Sequence, residues 1–129
     1  MFKVIGSGVP FYGGGRDRWD GYPRERAEML RWIKEKNIKG VVFISADLHS
    51  AAVTRIRDLQ RLKEIAVGPI AAPLNAFGIG YSSRSEFFSN KTFNYGMITI
   101  DPKSSPPRML VEILDEKNES LYKSTIDAV

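Results

Sequence analysis

A chain of 129 residues suffices for one domain with a single core and is too short for two. Its 43% hydrophobic and 26% charged residues are the proportions of an ordinary globular fold, no apolar run approaches the span of a bilayer, and Met1-Phe2-Lys3-Val4-Ile5-Gly6 lacks the order of a signal peptide, so a cytoplasmic protein with no membrane partner is expected. The absence of cysteine excludes disulfides, thiolate nucleophiles and sulfur-ligated zinc, and the net charge of +4 is spread without a block of like sign, which reads as a solvated surface rather than a nucleic-acid groove.

Lys3-Val4-Ile5-Gly6-Ser7-Gly8 reads as a short strand entering a glycine-rich turn. It is not a dinucleotide loop, because the third glycine is missing and Pro10 stands where a helix should begin. Residues 11–22 form a long loop with glycines, Arg16, Arg18 and four aromatic rings, a composition shared by mobile surface and by anion-binding sites. A helix follows over 23–36: Pro23 suits the first helical position, Glu25 and Glu28 suit the positive end of the dipole, and Ala27, Leu30 and Ile33 make an apolar stripe. Lys34 and Lys36 suit its negative end, and Asn37 suits a left-handed closing residue.

Val41-Val42-Phe43-Ile44-Ser45 is a continuous apolar run, the pattern of a strand buried on both faces. Residues 52–57 and 62–67 read as two strands around a polar turn, with a helix over 57–64 as the competing reading. Prolines 69 and 73 break the next apolar segment, and 74–91 reads as a long irregular loop. Strands at 94–101, 108–114 and 120–126 complete an antiparallel meander. The whole is a single α/β domain, 1–129, with a mixed sheet and one main amphipathic helix.

Chemistry concentrates where the buried strand stops, at Ala46-Asp47-Leu48-His49-Ser50. Carboxyl ends of such strands are where sheet enzymes place their sites. Asp47 and His49 lie two residues apart, so on a regular strand both would face one side and could reach one metal ion or phosphate together. The same spacing also suits a structural hydrogen-bonded pair, and spacing alone leaves both readings open.

The order Val9-Pro10-Phe11, a variable loop, Trp19-Asp20-Gly21-Tyr22-Pro23-x-Glu25-Arg26, an amphipathic helix, a hydrophobic strand and Ala46-Asp47-Leu48-His49-Ser50 resembles the C-terminal half of the PhoD-like alkaline phosphatases. These are phosphoesterases of the calcineurin-like metallophosphatase superfamily. Gly68-Pro69-Ile70 and Tyr95-Gly96-Met97-Ile98-Thr99-Ile100 look like that family's closing sheet, so the likeness covers nearly the whole chain. The resemblance implies part of a β-sandwich that hydrolyses phosphate monoesters or diesters with divalent or trivalent metal ions, whether calcium, iron, zinc or manganese. It implies that Asp47 and His49 are catalytic metal ligands, that Trp19, Tyr22, Arg16 and Arg18 bind the phosphate ester, and that Arg26 braces the helix. Ala46 stands where the family has glycine.

In that family most metal ligands come from an N-terminal half that this sequence does not contain. A two-metal centre needs more donors than one histidine and its neighbouring carboxylate supply. The expectation is an incomplete site, inactive alone, with apolar sheet surface left for a second copy or a separate N-terminal half to cover. The competing reading is a non-catalytic assembly module derived from the same fold.

Overall fold

The computed structural model describes residues 1–12, 16–57, 59, 61–76 and 85–128. Strand β1 (Lys3–Ser7) lies parallel to β2 (Val41–Ser45), with Lys3 opposite Val41 and Ser7 opposite Ser45. A parallel pair needs a crossover, and α1 (Pro23–Glu35) supplies it. The helix has Pro23 in its first turn, Glu25 at the positive end and Lys34 at the negative end, and Asn37 follows it at φ 47° as the sequence suggested. Leu30 and Ile33 are buried, with Met29 and Arg26 half-buried beside them. Ala27 is exposed, because the stripe is centred on the 26-29-30-33 face and the helical rotation carries position 27 off it.

The two expected strands after β2 are present as β3 (Ala51–Arg55) and β4 (Lys63–Ala66), which pair antiparallel. Asp58 and Gln60 in the turn between them lie outside the described residues. The region 74–91, expected to be irregular, contains β5 (Ser85–Ser89), which pairs antiparallel with β3. Adjacent aromatics hide this strand from a period-two reading. Phe87 packs on one face against Tyr122, with ring centroids 5.0 Å apart, while Phe88 packs on the other against Leu48, Ala52 and Ala66. Residues 77–84 of that expected loop are outside the described residues.

The resulting five-stranded sheet has the order β1-β2-β4-β3-β5. The last three strands, β6 (Asn94–Asp101), β7 (Arg108–Asp115) and β8 (Ser120–Asp127), form the expected meander in sequence order. Its second turn is fixed by the Asp115 carboxylate, which accepts the N–H groups of Lys117 and Glu119, both at 2.8 Å, with Asn118 at φ 65°.

Alternation along β2 divides the core into two layers. Val41 and Phe43 face the helix with Leu30, Ile33, Phe11, Ile56 and Leu62. Val42 joins Val53 and Ile65 against Met109, Val111 and Ile113 of β7. Helix, mixed sheet and antiparallel sheet therefore stack as three layers, the mixed α/β architecture read from the sequence. Coverage stops at one edge: Val4 pairs in register with Val42, yet Val42 is 1% exposed and Val4 47%. The meander covers β2 and leaves β1 open. Among the described residues no helix is long and apolar enough to cross a membrane.

Candidate functional site

The strand β2 ends at Ser45, and the chain then turns through two residues in the left-handed region, Asp47 at φ 63° and His49 at φ 56°. Aspartate and histidine tolerate that region better than most side chains, but two in three residues is unusual and is the kind of backbone found at binding sites. Leu48 between them is 3% exposed and packs on Ala52, Ala66 and Phe88. With Leu48 turned inward as an anchor, Asp47 and His49 line one cavity. The shared side expected from strand geometry is thus reached by a turn.

The loop is held from outside by residues 73–75. The His49 Nδ1 lies 2.6 Å from the Pro73 carbonyl oxygen. A carbonyl can only accept, so Nδ1 carries the hydrogen and Nε2 is the ring nitrogen left to ligate. Asn75 donates its backbone N–H to the His49 carbonyl at 2.8 Å and its side-chain N–H to the Leu48 carbonyl at 3.2 Å. Asn90 in turn donates to the Asn75 carbonyl at 2.8 Å. Sequence reasoning missed Pro73 and Asn75. The only signals were a proline breaking an apolar segment and an asparagine in the stretch read as an irregular loop.

The cavity has a volume of about 360 Å³. Arg18, Asp47, His49 and Asn75 give it polar groups, and the rest of its lining is Leu48 together with Pro73, Leu74 and Ala76. Arg18, Asp47 and His49, three of the residues singled out from the sequence, therefore meet. Trp19, Tyr22 and Arg16 do not line this cavity. Arg16 is exposed, and Tyr22 is exposed at the start of α1, where its carbonyl accepts the Arg26 N–H at 3.1 Å.

Trp19 is a structural anchor for Arg18. It lies in a 3-10 turn, Trp19–Gly21, stacks on Phe11 with centroids 5.2 Å apart, and donates its indole N–H to Ser7 Oγ at 2.9 Å. Phe11 packs in turn on Phe43 at 4.4 Å. Beneath it, the Glu64 carboxylate, only 1% exposed, accepts the Phe11 N–H at 2.7 Å and the Ser45 hydroxyl at 2.8 Å. One buried carboxylate thus joins the loop carrying Arg18 to the strand end carrying Asp47. Glu64 carries no signal of its own beyond being an acidic residue next to Lys63 in a segment read as a strand. Arg26 braces the helix as expected, bonded to Asp20 and to the Phe11 carbonyl and lying over the Tyr12 ring at 4.8 Å.

Asp47 and His49 offer a carboxylate and an imidazole nitrogen to the cavity, and among the described residues no cluster of three or more His, Cys, Asp or Glu side chains could hold a metal ion. The donors suit an edge of a coordination sphere and do not close one.

Residues 3–104, from β1 through β6, match the family model described as PhoD-like phosphatase. Over 83 residues the chain is 28% identical to alkaline phosphatase D of Bacillus subtilis (strain 168), covering 62% of this chain and 14% of that protein. Among solved structures, one titled "Structure of PhoD" matches with a TM-score of 0.60 at 14% identity, over 99% of this chain and 32% of the other. Another, titled "GAP50 the anchor in the inner membrane complex of Plasmodium", matches with a TM-score of 0.62 at 16% identity, over 99% of this chain and 37% of the other. The fold is therefore shared along almost the whole chain, which spans well under half of the length of each of these relatives.

Proposed function

This chain belongs to the PhoD-like phosphatase family, and on that premise we propose that it forms one wall of a metal-dependent phosphoesterase site, the remaining wall coming from polypeptide outside this sequence. The observation that carries the reading is the convergence of Asp47, His49 and Arg18 on one cavity at the end of β2. His49, through Nε2, and Asp47, through its carboxylate, would contribute metal donors, and Arg18 would neutralise a phosphate oxygen. Divalent or trivalent ions in phosphoesterases activate water and offset charge at phosphorus. With Asp47 and His49 as the donors at this site among the described residues, hydrolysis by this chain alone is not expected.

The uncovered β1 edge supports a completing partner. Parallel strands are ordinarily buried on both faces, and Val4 at 47% exposure is not. Either the rest of a longer chain, a separate N-terminal half or a second copy would cover it.

A second reading, a non-catalytic assembly module, draws support from the structural match to a protein described as an anchor. Calorimetric titration of zinc and manganese ions into the wild-type chain, His49→Ala and Asp47→Asn separates the two. The site reading expects weak binding that falls in both variants, together with no hydrolysis of a chromogenic phosphate ester by the chain alone. Metal affinity unchanged by Asp47→Asn would favour the assembly reading.

A further inference from the structure

The depression beside Asp47 and His49 is open and carries apolar as well as polar lining, more than a phosphate alone would use. At about 360 Å³ it lies at the lower end of the roughly 300–1,000 Å³ range of organic-ligand pockets. Its lining comes from separate parts of the chain: Arg18 before the 3-10 turn, Asp47, Leu48 and His49 after β2, and, from the segment that brackets the loop, Asn75 with the apolar Pro73, Leu74 and Ala76. Pro73 and Ala76 are exposed and Leu74 half-buried, so this segment presents apolar surface at the cavity rather than closing into the core.

We propose that Leu74 and Ala76 form a specificity wall that receives a compact apolar or aromatic group attached to the phosphate, so that the preferred ligands are organic phosphate esters with an apolar alcohol portion. This rests on the phosphate reading of Arg18, Asp47 and His49. Water is displaced from Leu74 and Ala76 only when the ester carries such a group, and burying apolar area on both partners is the source of discrimination. Charged or strongly hydrated alcohol portions leave the wall wet and gain nothing from it. Pro73 keeps a separate role through its carbonyl bond to His49 Nδ1.

The test compares phenylphosphonate with methylphosphonate, two non-hydrolysable probes that share the phosphonate group, titrated into the full chain in calcium-containing buffer and followed by NMR. Phenylphosphonate is expected to bind in the range of about 1–10 mM and about tenfold more tightly than methylphosphonate. Leu74→Ser should remove most of that preference and leave methylphosphonate affinity unchanged. Because Leu74 is partly buried, intermolecular NOEs from the phenyl ring to the Leu74 and Ala76 methyl groups of the wild-type chain provide a second readout that needs no variant. Equal affinity for the two probes, without those NOEs, overturns the specificity wall and leaves the phosphate reading standing. Binding of neither probe removes both.

Discussion

The C-terminal meander and the rim at the end of β2 are built by opposite means. In the meander, neighbouring strands satisfy each other's backbone, side chains alternate cleanly along the central β7, and the turn between β7 and β8 is closed by its own Asp115 and Asn118. In the rim, irregular backbone is held by side chains distant in sequence: Asn75 on Leu48, Asn90 on Asn75, Asn94 on Gly68 and Glu64 on Phe11. The difference teaches where stability and function reside. The meander is a cover whose core residues carry folding energy, whereas the rim exposes its chemistry and depends on a few buried brackets.

The largest effect should fall in the meander. Ile113 is fully buried between the sheets, and Ile113→Ala should cost about 2–5 kcal/mol of stability in urea unfolding. A loss below 1 kcal/mol would mean that the meander is not the cover described. Next comes the deepest bracket: Glu64→Ala should cost about 1–3 kcal/mol by leaving the Phe11 N–H and Ser45 hydroxyl without their acceptor. It should also shift the Trp19 indole N–H resonance, and an unmoved resonance would separate Glu64 from the Arg18 loop.

Asn94 joins the two regions. Its amide accepts from the Gly68 N–H at 2.8 Å and donates to the Gly68 and Thr92 carbonyls at 3.0 and 3.2 Å. Asn94→Ala is expected to cost about 1–3 kcal/mol, read from the same unfolding curves. By contrast, His49→Gly should change stability by less than about 1 kcal/mol, because relief of the left-handed backbone offsets loss of the Pro73 bond and a more flexible unfolded chain. Metal affinity should nevertheless fall. A large stability loss there would erase the contrast between cover and rim.

The smallest effect concerns Glu86 on β5. Burial pushes its carboxyl up, but Lys63 at 2.9 Å and Arg55 at 2.6 Å outweigh that and hold it below the ordinary glutamate value. The unfolded chain therefore takes up this proton first as pH falls. The contribution is complete above the unfolded value of about 4.3 and fades as pH drops through the lower folded value. Solvent screening keeps it within about 0.2–1 kcal/mol, so the stability gap between wild type and Glu86→Gln should be small at neutral pH and close in acid.

The contrast also explains what the sequence disclosed. The meander, α1, β2 and the β3–β4 pair follow local rules of alternation, capping and turn chemistry, and all were readable. β5 was not, because Phe87 and Phe88 serve opposite faces and its partner β3 is remote in sequence. At the site, Asp47, His49 and Arg18 could be named from their residue types, and their meeting in one cavity needed the fold. Trp19 had the composition of a binding residue, but Phe11 and Ser7 claim its ring and its N–H. Pro73, Asn75 and Glu64 act through contacts at long separation, which no local pattern announces.

Asn75 grips the site loop through the main-chain carbonyls of Leu48 and His49. Such a grip is indifferent to the side chains at 47 and 49, provided that they accept a left-handed backbone. Substitution of both positions by glycine would erase the donors and the Pro73 bond but leave the Asn75 bonds to the main chain in place. A loop with two metal donors and one with none would then stand two substitutions apart on the same main-chain grip.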